Sequence, residues 1–174
     1  MQRLIVTGAN GAGKSHVAAR LSALRPDVPL VSFDAIKLLE GWQQRPRVEI
    51  EQDLEAAVAG PAWIIEGGPS LLPVALPRAE AVLWLDPPGA VRAGRLLLRP
   101  WRNLGRTRPE LPKGNRDWPI HQYRFALRSL RKGAVFRQSI AAAVAGAGHV
   151  AVWRCRTAAD TRAALDAWAR DNDL

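Results

Sequence analysis

Short, unbroken apolar runs alternate along this chain with stretches whose apolar residues recur every three or four positions. The runs at 3–7, Leu30-Val31-Ser32-Phe33, Ala62-Trp63-Ile64-Ile65, Ala81-Leu85 and Val150-Trp153 read as five strands. The unbroken apolarity of Ala62-Trp63-Ile64-Ile65 is that of a strand covered on both faces. Between them the helical period returns. A helix is expected from Lys14 to about Leu24, with Pro26 as its stop, and a helical turn over 35–40, closed by Gly41-Trp42. A third helix runs over 47–59, with Val48, Ile50, Leu54, Ala57 and Val58 mostly on one side, Glu51 and Glu55 exposed, and Gly60-Pro61 at its end. Pro69, Pro73 and Pro77 mark a connection. Pro87-Pro88 starts a helix expected to reach Leu98, where Pro100 breaks it. A long helical stretch over 121–147, interrupted at Gly133, precedes the fifth strand, and a last helix over 158–170 has Thr157 as its N-cap. Strands alternating with helices predict an α/β fold in three layers, with a parallel sheet between helices. The chain of 174 residues suits one domain. Its one long connection, 100–117, contains Gly105, Pro109, Pro112 and Gly114 and reads as a lid.

Composition adds little to this class. Hydrophobic residues make up 48% and charged ones 24%, as in ordinary soluble domains. No apolar run is long enough to span a membrane. The start Met1-Gln2-Arg3 leads directly into a strand rather than into a secretory leader. The lone Cys155 excludes an internal disulfide, and a cytoplasmic monomer is expected.

Charge changes the picture more. The net +9 is concentrated between Arg92 and Arg137, where 13 Lys and Arg face two acids, Glu110 and Asp117. Such a segment calls for an anionic partner: nucleotide phosphates, nucleic acid or both. Some of these arginines need be no more than a solvated helix face.

The chemistry-bearing stretch is Gly8-Ala9-Asn10-Gly11-Ala12-Gly13-Lys14-Ser15, between the first strand and the first helix. It fits the phosphate-binding pattern G-x-x-x-x-G-K-S/T in the strand–loop–helix context the pattern requires. Its glycines let successive N–H groups converge on one anion, and the helix start adds its dipole. Lys14 suits the β- and γ-phosphates, Ser15 suits magnesium, and His16 follows at the loop's exit. ATP and Mg2+ are the expected cofactors.

In a parallel sheet, functional groups gather beyond the C-terminal strand ends. Three acids hold that position: Asp34, Glu66 and Asp86. Glu66, after a buried apolar strand, fits the acid that supports magnesium. Asp34 fits a general base for an acceptor, a helix N-cap, or both. Asp86 before Pro87-Pro88 fits an N-cap. Arg92, Arg95 and Arg99 share one helix face, and Arg102, Arg106 and Arg108 lie in the lid, where guanidinium groups closing on a moving phosphoryl group stabilise its charge. Arg124, Arg128, Arg131 and Lys132 form a second helical set, either lining the site or facing solvent. Trp63, Trp84 and Trp153 fit the core. Trp42 fits core packing or the stacking of a flat substrate.

The set Gly8–Ser15, Phe33-Asp34-Ala35, Gly41-Trp42, Trp63-Ile64-Ile65-Glu66-Gly67, Leu85-Asp86-Pro87-Pro88 and Gly105-Arg106-Thr107-Arg108-Pro109-Glu110 resembles the small P-loop proteins known as DNA topology modulation proteins, relatives of adenylate kinase. The resemblance implies a five-stranded parallel sheet in the order 2-3-1-4-5 and an arginine-rich lid. It also implies ATP on Gly8–Ser15, with Arg95 near the adenine and Arg99 near the phosphates. One departure matters. The family reads Asp-Gly-Asn-Tyr-Ser-Arg after strand three, and this chain reads Glu66-Gly67-Gly68-Pro69-Ser70-Leu71. The arginine that would hold an acceptor's phosphate is missing, which argues against AMP. The leading expectation is a kinase that transfers the γ-phosphoryl of ATP to a small acceptor such as a nucleotide or nucleoside, using Lys14, Arg99, Arg106, Arg108 and Asp34. The alternative is a nucleic-acid-associated ATPase, or regulator of DNA topology, that uses 92–137.

Overall fold

The structure, a computed structural model, describes residues 1–102 and 119–170, except the side chains of residues 99, 100, 102 and 119–122. The strands are β1 (Arg3–Gly8), β2 (Leu30–Ser32), β3 (Trp63–Gly67), β4 (Ala81–Leu85) and β5 (Ala151–Cys155). They form one parallel sheet in the order β2-β3-β1-β4-β5. The principal helices are α1 (Lys14–Leu24), α2 (Phe33–Lys37), α3 (Arg47–Ala57), α4 (Leu72–Ala75), α5 (Gly89–Arg102), α6 (Pro119–Arg131), α7 (Gly133–Ala145) and α8 (Ala158–Arg170).

The two-residue period of the strands divides their side chains between two cores. Ile5, Trp63, Ile65, Val82 and Trp84 pack towards α3, α4 and α7 with Leu54, Leu72 and Ile140. Leu4, Val6, Ile64, Leu83 and Leu85 pack towards α1 and α8 with Ala18, Leu21, Leu165 and Trp168. Each fully buried aliphatic side chain contributes roughly 1.5–3 kcal/mol, so the unbroken apolarity of the central strands drives the three-layer arrangement. The sheet edges are less covered: β2 is short, and Val152 on β5 is exposed.

Arg25 closes the second core from below. Its side chain is fully buried, with the guanidinium donating to Asp27 Oδ1 and Oδ2, Met1 O and Gln2 Oε1, at 3.2, 2.8, 3.2 and 2.8 Å. The same cation lies 5.1 Å from the centre of the Trp168 ring.

Several local expectations change. α2 begins at Phe33, so Asp34 lies inside it, and Ser32 takes the N-cap position. The Asp34 cap is thereby excluded. Asp86 does not cap either: α5 starts at Gly89, after both prolines, and Asp86 turns into an arginine cluster. α5 also runs past Pro100 to Arg102, since the hydrogen bond a proline removes and its clash with the carbonyl four residues back can be absorbed without ending a helix. The proline-rich connection over 69–78 coils into α4, flanked by 3-10 turns Pro69–Leu71 and Leu76–Arg78. The interruption at Gly133 separates α6 from α7. Thr157 caps α8 as expected, its Oγ1 accepting from Asp160 N at 3.1 Å while the Asp160 carboxylate accepts from Thr157 N at 2.9 Å.

Candidate active site

An open cleft of ≈ 1150 Å³ lies over the C-terminal ends of the strands. One wall is the loop between β1 and α1. Gly11 and Gly13 there hold φ of 79° and 101°, left-handed values that favour glycine. The turn is closed by Ala12 N donating to Ala9 O at 3.1 Å. The residues from Asn10 to His16 line the cleft; Gly8 is buried at the end of β1, where a Cβ would overlap the Leu85 carbonyl. Ala9 is half-buried.

The loop rests on α5. Leu96 packs beneath Gly11, where an added Cβ would lie 2.8 Å from Leu96 Cγ. Arg92 Nε donates to Asn10 O at 3.0 Å, and Arg95 Nη1 donates to Ala12 O at 2.7 Å. Arg92 thus faces the loop's back and not the cleft, unlike the shared arginine face expected from the sequence. Its neighbour four residues on, buried Leu96, is the signal that this face turns inward. Arg95 lines the cleft but spends a donor on the loop itself.

Across the cleft, Glu66 is 4% exposed at the end of β3. Its Oε1 accepts from Ser32 Oγ at 2.9 Å, and its Oε2 from Ser15 Oγ at 3.4 Å. The loop hydroxyl and the strand-end carboxylate therefore meet. Hard oxygen donors of this kind suit magnesium, which binds through one or two protein oxygens plus phosphate and water. Such a site needs no larger ligand cluster, and among the described residues no three His, Cys, Asp or Glu gather as one. Ser15 and Glu66 fit the ion's needs. Asp34 lines the same cleft from α2.

The remaining wall was not anticipated. Leu85, Pro87, Pro88 and Val91 face Arg156, Thr157, Thr161 and Arg162 from the start of α8. The strand-end rule applied to the acids points equally to the residues after β5. Cys155 also lines this wall, and burial pushes its thiol up to about 11, so it stays protonated at neutral pH.

Other expected residues lie elsewhere. Asp86 is 8% exposed and does not line the cleft; it accepts from Arg137 Nε at 2.7 Å and from Arg154 Nη2 at 2.6 Å. Arg154 also stacks 4.3 Å from the Trp84 ring centre. Trp42 is 38% exposed with φ 63°, and does not line the cleft. Arg124, Arg128, Arg131 and Lys132 line a separate open groove on α6. Of the expected lid, residues 100–102 belong to α5; the rest of it, with Arg106 and Arg108, and the side chains of Arg99 and Arg102 fall outside the described residues.

No family model matches the chain, and no curated protein does. Solved structures do. Shikimate kinase from Bacteroides thetaiotaomicron superposes with a TM-score of 0.53 at 17% identity, over 99% of each chain. Shikimate kinase from Acinetobacter baumannii, in complex with shikimate, gives 0.52 at 14% identity, over 99% of this chain and 94% of that one. TT1252 from Thermus thermophilus gives 0.55 at 16% identity, over 98% and 97%. The chain shares the fold of these shikimate kinase structures. The resemblance to DNA topology modulation proteins rests on the motifs alone.

Proposed function

We propose that the chain is an ATP-dependent phosphotransferase acting, as one domain, on a small hydroxyl-bearing acceptor. One observation carries this reading: Ser15 of the phosphate loop, Glu66 and Asp34 line one cleft with Lys14. The fold of the neighbours supports it. The loop's N–H groups and Lys14 hold the phosphates of ATP. Ser15 and Glu66 would hold magnesium, which would supply charge neutralisation to the transferring phosphates. Asp34 orients the acceptor hydroxyl and takes its proton as the oxygen bonds to the γ-phosphorus and the bond to the β-phosphate oxygen breaks, leaving ADP. Arg99, Arg106 and Arg108 are assigned to the charge on the moving phosphoryl group.

The acceptor is sought first among molecules without a phosphate. Leu71 replaces the arginine of the resembled family, and the arginines near α3 are spent on its own acids: Arg45 on Glu49 and Asp53, Arg47 on Glu51. A screen of nucleosides, nucleotides, shikimate and other small hydroxyl compounds for ADP release, with Lys14→Ala as control, tests the reading. A phosphorylated product formed by the wild type and lost in the variant is expected. ATP affinity and turnover unchanged in Lys14→Ala would remove the loop from the mechanism.

A second reading, a nucleic-acid-associated ATPase, is favoured by α6. Arg124, Arg128, Arg131 and Lys132 have no ion-pair partner among the described residues and line one open groove. Tight duplex DNA binding that falls steeply with salt, without phosphorylation of any acceptor, would select it.

A further inference from the structure

Arg92 is a charged side chain only 5% exposed, and it makes no ion pair among the described residues. A guanidinium in that position carries a desolvation cost that needs compensation by hydrogen bonds. Its partners are carbonyls from two distant places. Nε donates to Asn10 O in the phosphate loop at 3.0 Å, and Nη2 approaches Ser129 O on α6 at 3.5 Å. Nη1 occupies the space above Gly133, the first residue of α7, where any Cβ would overlap it. One side chain therefore joins the loop to the corner between α6 and α7.

The bond to Asn10 O has a geometric consequence. A peptide unit is planar, and no cis bond occurs here, so C=O and N–H point opposite ways. Fixing the Asn10 carbonyl towards Arg92 turns the Gly11 N–H to the opposite side. Gly11 lines the cleft and Arg92 does not. Two peptides on, Arg95, which itself lines the cleft, holds Ala12 O, so a second peptide of the loop is fixed from the same helix. An anion-binding loop works only if its N–H groups already converge, because swinging them inward on binding subtracts from affinity.

We propose that Arg92 is a positioning residue for nucleotide phosphates: it holds the Asn10–Gly11 peptide so that the Gly11 N–H faces the cleft, and Gly133 exists to leave room for its guanidinium. The inference rests on the phosphate-binding reading of the loop. It makes the α6–α7 corner part of the nucleotide site, although no atom of that corner lines the cleft.

The test is calorimetric titration of the full-length chain with Mg-ATP, alongside thermal unfolding of the same samples. The proteins are wild type, Lys14→Ala, Arg92→Met, Arg92→Lys, Gly133→Ala and the double variant Arg92→Met/Gly133→Ala. Arg92→Met is expected to weaken ATP binding about tenfold, the size of one lost hydrogen bond to a charged group. Arg92→Lys, which keeps the charge and one donor, recovers part of the loss. Gly133→Ala displaces only the flexible end of Arg92, so it retains the fold and weakens binding in the wild-type background. In the Arg92→Met background the same change is silent, because the atom it displaces is gone. Should Arg92→Met not fold, Arg92→Lys and Gly133→Ala decide the matter. Wild-type affinity in both Gly133→Ala and Arg92→Lys overturns the proposal, as does full additivity in the double variant. A lowered melting temperature without a change in affinity overturns it too, leaving Arg92 as packing. If the wild type itself binds no ATP while remaining folded, the phosphate-loop reading fails first, and the positioning role with it.

Discussion

Ser32 donates its hydroxyl to Glu66 Oε1 at 2.9 Å, and the parallel register sets the two residues side by side at the ends of β2 and β3. The bond leaves Oε2 turned to Ser15 at 3.4 Å. Ser32 thus orients the carboxylate without belonging to the loop. Glu66→Gln keeps the size and hydrogen bonding but removes the charge. We expect it to raise the magnesium needed for half-maximal turnover roughly 10–100-fold, the range for groups that support a metal's ligands. Ser32→Ala should shift it in the same direction by less. Magnesium titration of ADP release reads both, and a Glu66→Gln curve superimposed on that of the wild type would take Glu66 out of the metal's support.

Asp86 makes stability depend on acid. Burial alone would raise its pKa, but hydrogen bonds from Arg154 and Arg137, aided by their charges, outweigh it and hold the carboxyl below its ordinary value of 3.8. The folded state therefore resists protonation longer than the unfolded chain. The stabilisation is complete above the unfolded pKa and is lost as pH falls through the folded one. Asp86→Asn should be less stable than the wild type at pH 7, with the gap closing below about pH 4. Urea midpoints between pH 7 and pH 3 measure it. A gap that stays constant down to pH 3 would mean that the cluster's ion pairs contribute nothing.

How much of this was legible depends on where each signal lay. The central strands were readable because β1, β3 and β4 each carry an unbroken apolar run, 4–6, 63–65 and 81–85, a pattern that a two-sided core requires. Gly8–Ser15 was readable because its function needs particular residue types at fixed spacing. Pro100 misled, since a proline inside a helix does not always end it, and α5 continues to Arg102. Asp86 misled because Pro87-Pro88 imitates a helix start, whereas Arg137 and Arg154 reach it from residues far along the chain. Arg92 looked like its neighbour Arg95, and only the packing of Leu96 on the loop separates their roles. Long-range pairing of this sort leaves no periodic trace.

Arg25 shows the same gap in the stability of the fold. Pro26 beside it suggested only a helix stop, yet its guanidinium joins Met1, Gln2 and Asp27 under the Trp168 ring. Arg25→Ala would strand Met1 O and Gln2 Oε1 and open a cavity in the second core. The expected loss is on the order of 3 kcal/mol. Arg25→Lys, with a compact ammonium in place of the fork, should recover only part of it. Chemical denaturation at neutral pH provides the measurement, and a loss below about 0.5 kcal/mol, ordinary for a surface site, would mean the buried cation is not a staple.

Asp34 separates acceptor chemistry from nucleotide binding. It lines the cleft, and its side chain has no hydrogen-bond partner among the described residues. Because Ser32 and not Asp34 holds the N-cap position of α2, replacing it should leave the fold intact. Asp34→Asn keeps the shape and loses the base. With the acceptor found by the screen, kcat is expected to fall by about 10²–10⁴, the usual contribution of a positioned general base, while ATP affinity stays at the wild-type value. The pair of measurements discriminates between roles. A raised KM with unchanged kcat would make Asp34 a binding group that holds the acceptor hydroxyl equally in the ground and transition states. Equal losses in ATP affinity and in turnover would instead place it on the nucleotide side of the cleft.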